Sequence, residues 1–154
     1  MTFNEFIAAL EKGLGTTIET EGDAAAISTG TADGPSVIIL LQGFDERDAV
    51  LMTADLGLPP PERLERLYRA FLEANDLFRD TAGGTLSVVP GTGHVRLQRY
   101  DTYAALVEAG PDKAFLAFAD VTAAWAQIVR DYRDAPEEKA EEPQDLSNLS
   151  GFRV

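Results

Sequence analysis

A single imidazole, His94, is the first place to look for acid–base or metal chemistry in this 154-residue chain. A catalytic or metal-bound histidine needs partners, and the flanking Gly93, Val95 and Arg96 offer none. Zinc held by one imidazole and no thiolate would need a carboxylate-rich site, which is uncommon. His94 therefore reads as a polar residue opening a strand on its solvent face. Asp45, Glu46 and Asp48 crowd one loop and have the oxygen chemistry that holds a hard cation. Their spacing is not that of an EF-hand, and nothing marks one as buried, the condition that moves a carboxyl group into a catalytic range. Gly91-Thr92-Gly93 lacks the lysine and following helix of a phosphate loop, so it reads as a hairpin turn. Gly83-Gly84 leads into a strand-like run and supplies no helix N-terminus for an anion. No G-x-S-x-G or other nucleophile motif is present. These residues predict no catalytic site, no metal and no cofactor.

Charge narrows the partners. Thirteen Lys and Arg stand against 26 Asp and Glu, a formal net charge of -13. Such a surface repels nucleic-acid phosphates and anionic lipid. With no cysteine, disulfides and thiol chemistry are excluded, and a reducing compartment is permitted. The opening MTFNEF carries an acidic residue where a secretory leader has cations, and the apolar run Val37 to Leu41 is far short of the ~20 residues of a membrane helix. The expectation is a cytoplasmic, soluble protein that binds no nucleic acid and inserts in no membrane.

The elements that would carry a site emerge from periodicity. Thr2 and Glu5 form a capping-box pattern, and Phe3, Phe6, Ile7 and Leu10 share one helical face ended by Gly13 and Gly15. Ala24–Thr29, Ser36–Gln42 and Ala49–Ala54 read as strands, with DLGLPPP closing the third. Leu64, Leu67, Tyr68, Phe71 and Leu72 make a helical stripe over Glu62 to about Asn75. Thr85–Val89 and His94–Tyr100 read as a hairpin, and Pro111 to about Arg133 as a long helix with Phe115, Phe118, Trp125, Val129 and Tyr132 along one side. The fold class is α+β: an antiparallel sheet flanked by three helices in the order α-β-β-β-α-β-β-α. One domain spans residues 1–134. Residues 135–154, acidic and proline-containing, read as a disordered tail with Leu146, Leu149 and Phe152 as its docking points.

One pattern is unusual. In SVIILLQ both alternating sets are apolar, Val37, Ile39 and Leu41 on one face and Ile38 and Leu40 on the other. Leu51 is likewise opposed by Val50 and Met52. An antiparallel sheet packed on helices needs only one apolar face. Either helices or a subunit cover the second face, or it is a patch that receives a partner chain.

The order of elements, with FNEFIAALEKGLG, VIILLQ, LGLPPPERLERLYRAFLEANDLF, TAGGTLSVVPGTGHVRLQRY and FADVTAAWAQIV, resembles the class I type III secretion chaperones, the Tir chaperone (CesT-like) family, from Phe3 to about Tyr132. That resemblance implies a homodimer with no enzymatic activity and no ATP hydrolysis. It implies binding of an extended N-terminal segment of a secreted effector protein, kept secretion-competent and presented to the export ATPase. It places effector contacts on the first helix and central hairpin, with Phe6, Ile7, Val37, Ile39, Leu51 and Met52 as candidates. It places the dimer contact on the second helix and following strand, with Leu67, Phe71, Leu86 and Val88. A regulatory protein-binding module of the same fold, a carboxylate-dependent enzyme and a structural subunit are the rival expectations.

Overall fold

A computed structural model describes residues 1–30 and 36–134; the predicted tail, 135–154, lies outside the described residues. Helix α1 spans Phe3–Leu14 and starts as its sequence requires: Thr2 accepts from the Glu5 backbone N–H while the Glu5 carboxylate reaches back to the Thr2 N–H. Gly15 ends it with φ +67, a conformation costly for any residue with a Cβ. Phe3, Phe6, Ile7 and Leu10 are buried, each stabilising the fold by roughly 1.5–3 kcal/mol.

Six strands form one antiparallel sheet: β1 (Thr20–Glu21), β2 (Ala24–Thr29), β3 (Val37–Phe44), β4 (Ala49–Gly57), β5 (Thr85–Val88) and β6 (Val95–Thr102). Their order across the sheet is β1-β2-β3-β4-β6-β5. The β3–β4 hairpin pairs Leu40 with Thr53 and Gln42 with Leu51. Strand β4 runs three residues past the predicted Ala54. DLG stays extended because a bulge between Asp55 and Gly57 absorbs the irregularity, with the Asp55 carboxylate accepting the Gly57 N–H at 2.8 Å. PGTG is the predicted hairpin turn, closed by the Val89 N–H donating to the His94 carbonyl at 2.8 Å.

Helix α2 covers Leu64–Asn75, α3 covers Tyr103–Ala109 and α4 covers Pro111–Asp134. The described residues thus hold four α-helices where three helices were expected. Helix α3 is seven residues long, started by the Thr102 hydroxyl accepting from Ala105 N–H and ended at Gly110. Two turns bury only Tyr103 and Leu106, too few for a helical period to be read.

Helices α1 and α4 pack on the sheet face formed by Val37, Ile39, Leu41, Val50 and Met52. Phe118 of α4 is fully buried, and Trp125 of the same helix meets Phe71 of α2 edge-on at 5.5 Å between ring centres. The Trp125 indole N–H also donates to the Asp80 carbonyl at 2.9 Å, tying down the loop after α2. Gly43 lets α1 approach β3 closely, since a Cβ there would sit 2.6 Å from the Phe3 Cβ. No helix of the described residues is long and apolar enough to cross a membrane.

Candidate functional site

Cross-strand partners in a sheet share a face, so the register determines what the uncovered face presents. Ile38 and Leu40 of β3 point away from the helices and are 57% and 53% exposed. Beside them on the same face stand Ala26, Leu51 and Tyr100. The Tyr100 ring lies 6.2 Å from Phe44 at the far end of β3. On the four long strands the only charged residues of this outer face are Asp55 and Arg96, which are direct cross-strand partners. A chain of net charge -13 therefore presents one broad face with almost no charge.

The two sheet edges differ. At the β5 edge, the Asn75 side chain donates to the Leu86 carbonyl at 3.0 Å and accepts from the Leu86 N–H at 2.8 Å. A side-chain amide thus takes the place of a neighbouring strand and blunts that edge. At the other edge β1 pairs with β2 only at Ala24 and Ala25. Ala26 to Thr29 have no strand partner on that side among the described residues, and they adjoin the apolar outer face. This is the geometry that accepts an added strand: backbone groups for affinity, alternating apolar side chains for selectivity.

A second exposed apolar group lies on α2 and the turns after it. Leu72 is 73% and Leu77 82% exposed, and Phe78 and Val88 are also exposed. Leu77 and Phe78 hold φ of +53° and +54°, a strained region for residues with a Cβ, so the fold maintains a costly backbone that turns both side chains outward.

The structure separates the candidate residues into two sets. Of the six candidate partner contacts, Phe6 and Ile7 on the buried side of α1 and Val37, Ile39 and Met52 on the sheet face beneath the helices are core residues, and only Leu51 reaches the outer face. Their contribution is to the fold, because one face of the hairpin must bury against the helices; the accessible set is its alternate, Ile38 and Leu40. Similarly, Leu67, Phe71 and Leu86 are buried within the subunit, holding α2 against β5, and only Val88 of the four candidate subunit contacts is exposed. Leu72, Leu77 and Phe78 take the accessible positions. The alternation within β4 carries a signal for this assignment: Val50, Met52, Ala54 and Leu56 are uniformly apolar, whereas Leu51, Thr53 and Asp55 turn polar and so mark the outer face.

His94 does have a partner, contrary to its local sequence: its Nδ1 lies 2.9 Å from the Asp55 carboxylate on the neighbouring strand, at the surface. Asp45 and Asp48 act as a latch. The Asp45 carboxylate accepts from the Phe3 N–H at 2.8 Å and from the Tyr103 hydroxyl at 3.1 Å, and Asp48 pairs with the Met1 amino group at 3.3 Å. Among the described residues no group of three or more His, Cys, Asp or Glu is arranged to hold a metal.

Burial, then the hydrogen bond to Asp45, then the charges of Asp45, Asp23 and Asp48 push the Tyr103 phenol well above its ordinary value of 10.0. The folded state binds that proton more tightly than the unfolded chain does. The associated stability is complete below pH 10.0 and declines as pH rises past it. Urea melts at pH 9 and 11 should show a larger loss for the native chain than for Tyr103→Phe; equal losses would detach Tyr103 from the alkaline transition.

Residues 5–109 match the Tir chaperone protein (CesT) family, about two thirds of the chain. The chain belongs to that family. A search of curated protein sequences finds no match. Among solved structures, the ExoU–SpcU complex of the Pseudomonas aeruginosa type III secretion system is similar with a TM-score of 0.59 and 16% identity, over 83% of this chain and 97% of that one. The HopA1–SchA chaperone–effector complex gives 0.59 and 13%, over 84% and 94%. The ExsC–ExsE complex gives 0.53 and 20%, over 82% and 92%. At these identities the likeness establishes the shared fold. The CesT-family sheet of this chain leaves its outer face and its β2 edge open.

Proposed function

We propose that this chain is a type III secretion chaperone that binds an extended segment near the N-terminus of an effector protein and keeps it secretion-competent without hydrolysing ATP. The observation that carries the reading is the nearly uncharged, apolar outer face of the sheet beside the unpaired stretch of β2. A client strand laid along Ala26–Thr29 satisfies its backbone there and projects alternate side chains over Ile38 and Leu40. Membership of the CesT family and the chaperone–effector character of a structural relative support the same reading. The protein acts in the cytoplasm as a binding protein and not as an enzyme. The export ATPase of the secretion apparatus is its downstream partner.

The test is affinity capture of the tagged full chain from its native host under secretion-inducing conditions, with mass spectrometry of what co-purifies. One or two secreted proteins held through an N-terminal segment are expected. Recovery of cytoplasmic regulators instead would replace the chaperone role with a regulatory one.

The chaperone works as a homodimer through the outward side of α2 and β5, where Leu72, Leu77, Phe78 and Val88 are exposed. With Asn75 blunting the β5 edge, side-chain packing and not a continuous sheet joins the two copies. Light scattering should give a dimer mass for the native chain and a monomer mass for Leu72→Glu combined with Phe78→Glu. A dimer mass for that double variant would remove this patch as the interface.

A further inference from the structure

Helix α4 ends beside the open face. A cavity of about 210 Å³ lies between the start of β3 and the end of β4; the last turns of α4 line it through Ala126, Val129, Arg130 and Arg133, and β4 lines it through Asp55 and Leu56. Leu58, 55% exposed, stands on the opposite wall, and Ile38 is the next outward residue along β3 from the cavity's Val37. The chain therefore leaves Asp134 at the end of the sheet where the apolar outer face begins. The sequence beyond Asp134 is complementary to that place. Glu137, Glu138, Glu141 and Glu142, with Lys139 among them, come first, within ~10–26 Å of extended chain from α4. Leu146, Leu149 and Phe152 come next, spaced to present apolar side chains. Leu146 lies twelve positions beyond Asp134, a reach of up to ~40 Å, while six strands at ~4.8 Å spacing span only ~24 Å.

We propose that the chain's own C-terminal segment, Glu137 to Phe152, docks on Leu58, Ile38 and Leu40, with its acidic run facing Arg130 and Arg133, and occupies the client face until a client displaces it. The client-displacement half of this proposal rests on the chaperone reading above; the docking half does not. Tethering supplies an effective concentration near millimolar, so a weak contact suffices to hold the segment in place. Competition then lowers apparent client affinity by the fraction of time the face is occupied.

The native chain has no cysteine, so Ser150→Cys carries a single nitroxide label. In the labelled full chain, the backbone amide signals of Ile38, Leu40 and Leu58 should broaden selectively. Adding Leu146→Asp, Leu149→Asp and Phe152→Asp to the same chain should restore them. Broadening spread evenly over the surface, or centred on α2 and β5, overturns the docking. Broadening in isotope-labelled chains mixed with nitroxide-bearing unlabelled ones assigns the segment to a second copy and overturns docking within the chain. Against the effector segment found by capture, the triple aspartate variant should bind roughly 2- to 10-fold more tightly. Unchanged affinity overturns the competition. Failure to capture any client removes the chaperone reading and leaves the broadening result standing.

Discussion

Leu40→Asp is expected to lower affinity for the client segment by roughly 100-fold while the protein stays folded. Leu40 is 53% exposed at the middle of β3, with Ala26 and Thr53 as its cross-strand neighbours on the outer face. In the free protein an aspartate there remains in water, and surface substitutions of this kind shift stability by about 0.5 kcal/mol or less. In the complex the carboxylate would be covered by client side chains reaching across Ala26, without a cation. On the four long strands, the only outer-face charges among the described residues, Asp55 and Arg96, already oppose each other. Burying an unpaired charge costs several kcal/mol, and truncated central contacts alone cost about 2 kcal/mol or more, roughly 30-fold. Calorimetric titration with the captured segment, beside a thermal melt of each variant, reads both halves. Native-like affinity in a folded Leu40→Asp chain would remove the outer face as the client site.

The adjacent residue should behave in the opposite way. Ile39 is fully buried, paired with Ile27 and Ala54 on the face beneath α1 and α4. Ile39→Ala leaves a cavity that neighbouring strands are too well anchored to close, for a loss of about 2–4 kcal/mol. For a domain of this size that corresponds to a fall of about 10 °C in Tm. The folded fraction should bind the client segment within about threefold of the native affinity, because the outer face is unaltered. A binding loss as large as that of Leu40→Asp, at temperatures where Ile39→Ala is folded, would place the client on the inner side and require the helices to move.

This contrast between neighbours is also where local reading and tertiary structure part. SVIILLQ is apolar on both faces, so its own periodicity identifies a strand and cannot say which face is core. The choice depends on register with β4, and the register depends on the turn at Asp45–Asp48, whose geometry is held by distant groups: the Phe3 N–H and the Tyr103 hydroxyl on Asp45, and the Met1 amino group on Asp48. Val37, Ile39 and Met52, expected as partner contacts, fall on the buried side of that choice. On α2, likewise, Leu67, Phe71 and Leu72 look equivalent in a helical stripe, yet docking on β5 buries the first two and leaves Leu72 outside. His94 found its carboxylate 39 residues away in sequence, a separation that no local window covers.

What the sequence by itself determined is the part built from short-range physics. The capping box opens α1, glycines end α1 and α3, β-branched runs make β3, PGTG turns β5 into β6, and the apolar length of α4 demands burial. The charge balance predicts a surface that repels phosphate-bearing partners. Only the tertiary structure decided which apolar side chains go into the core and which remain exposed. Burial is a property of two surfaces meeting, and an amino-acid sequence records only one of them at a time.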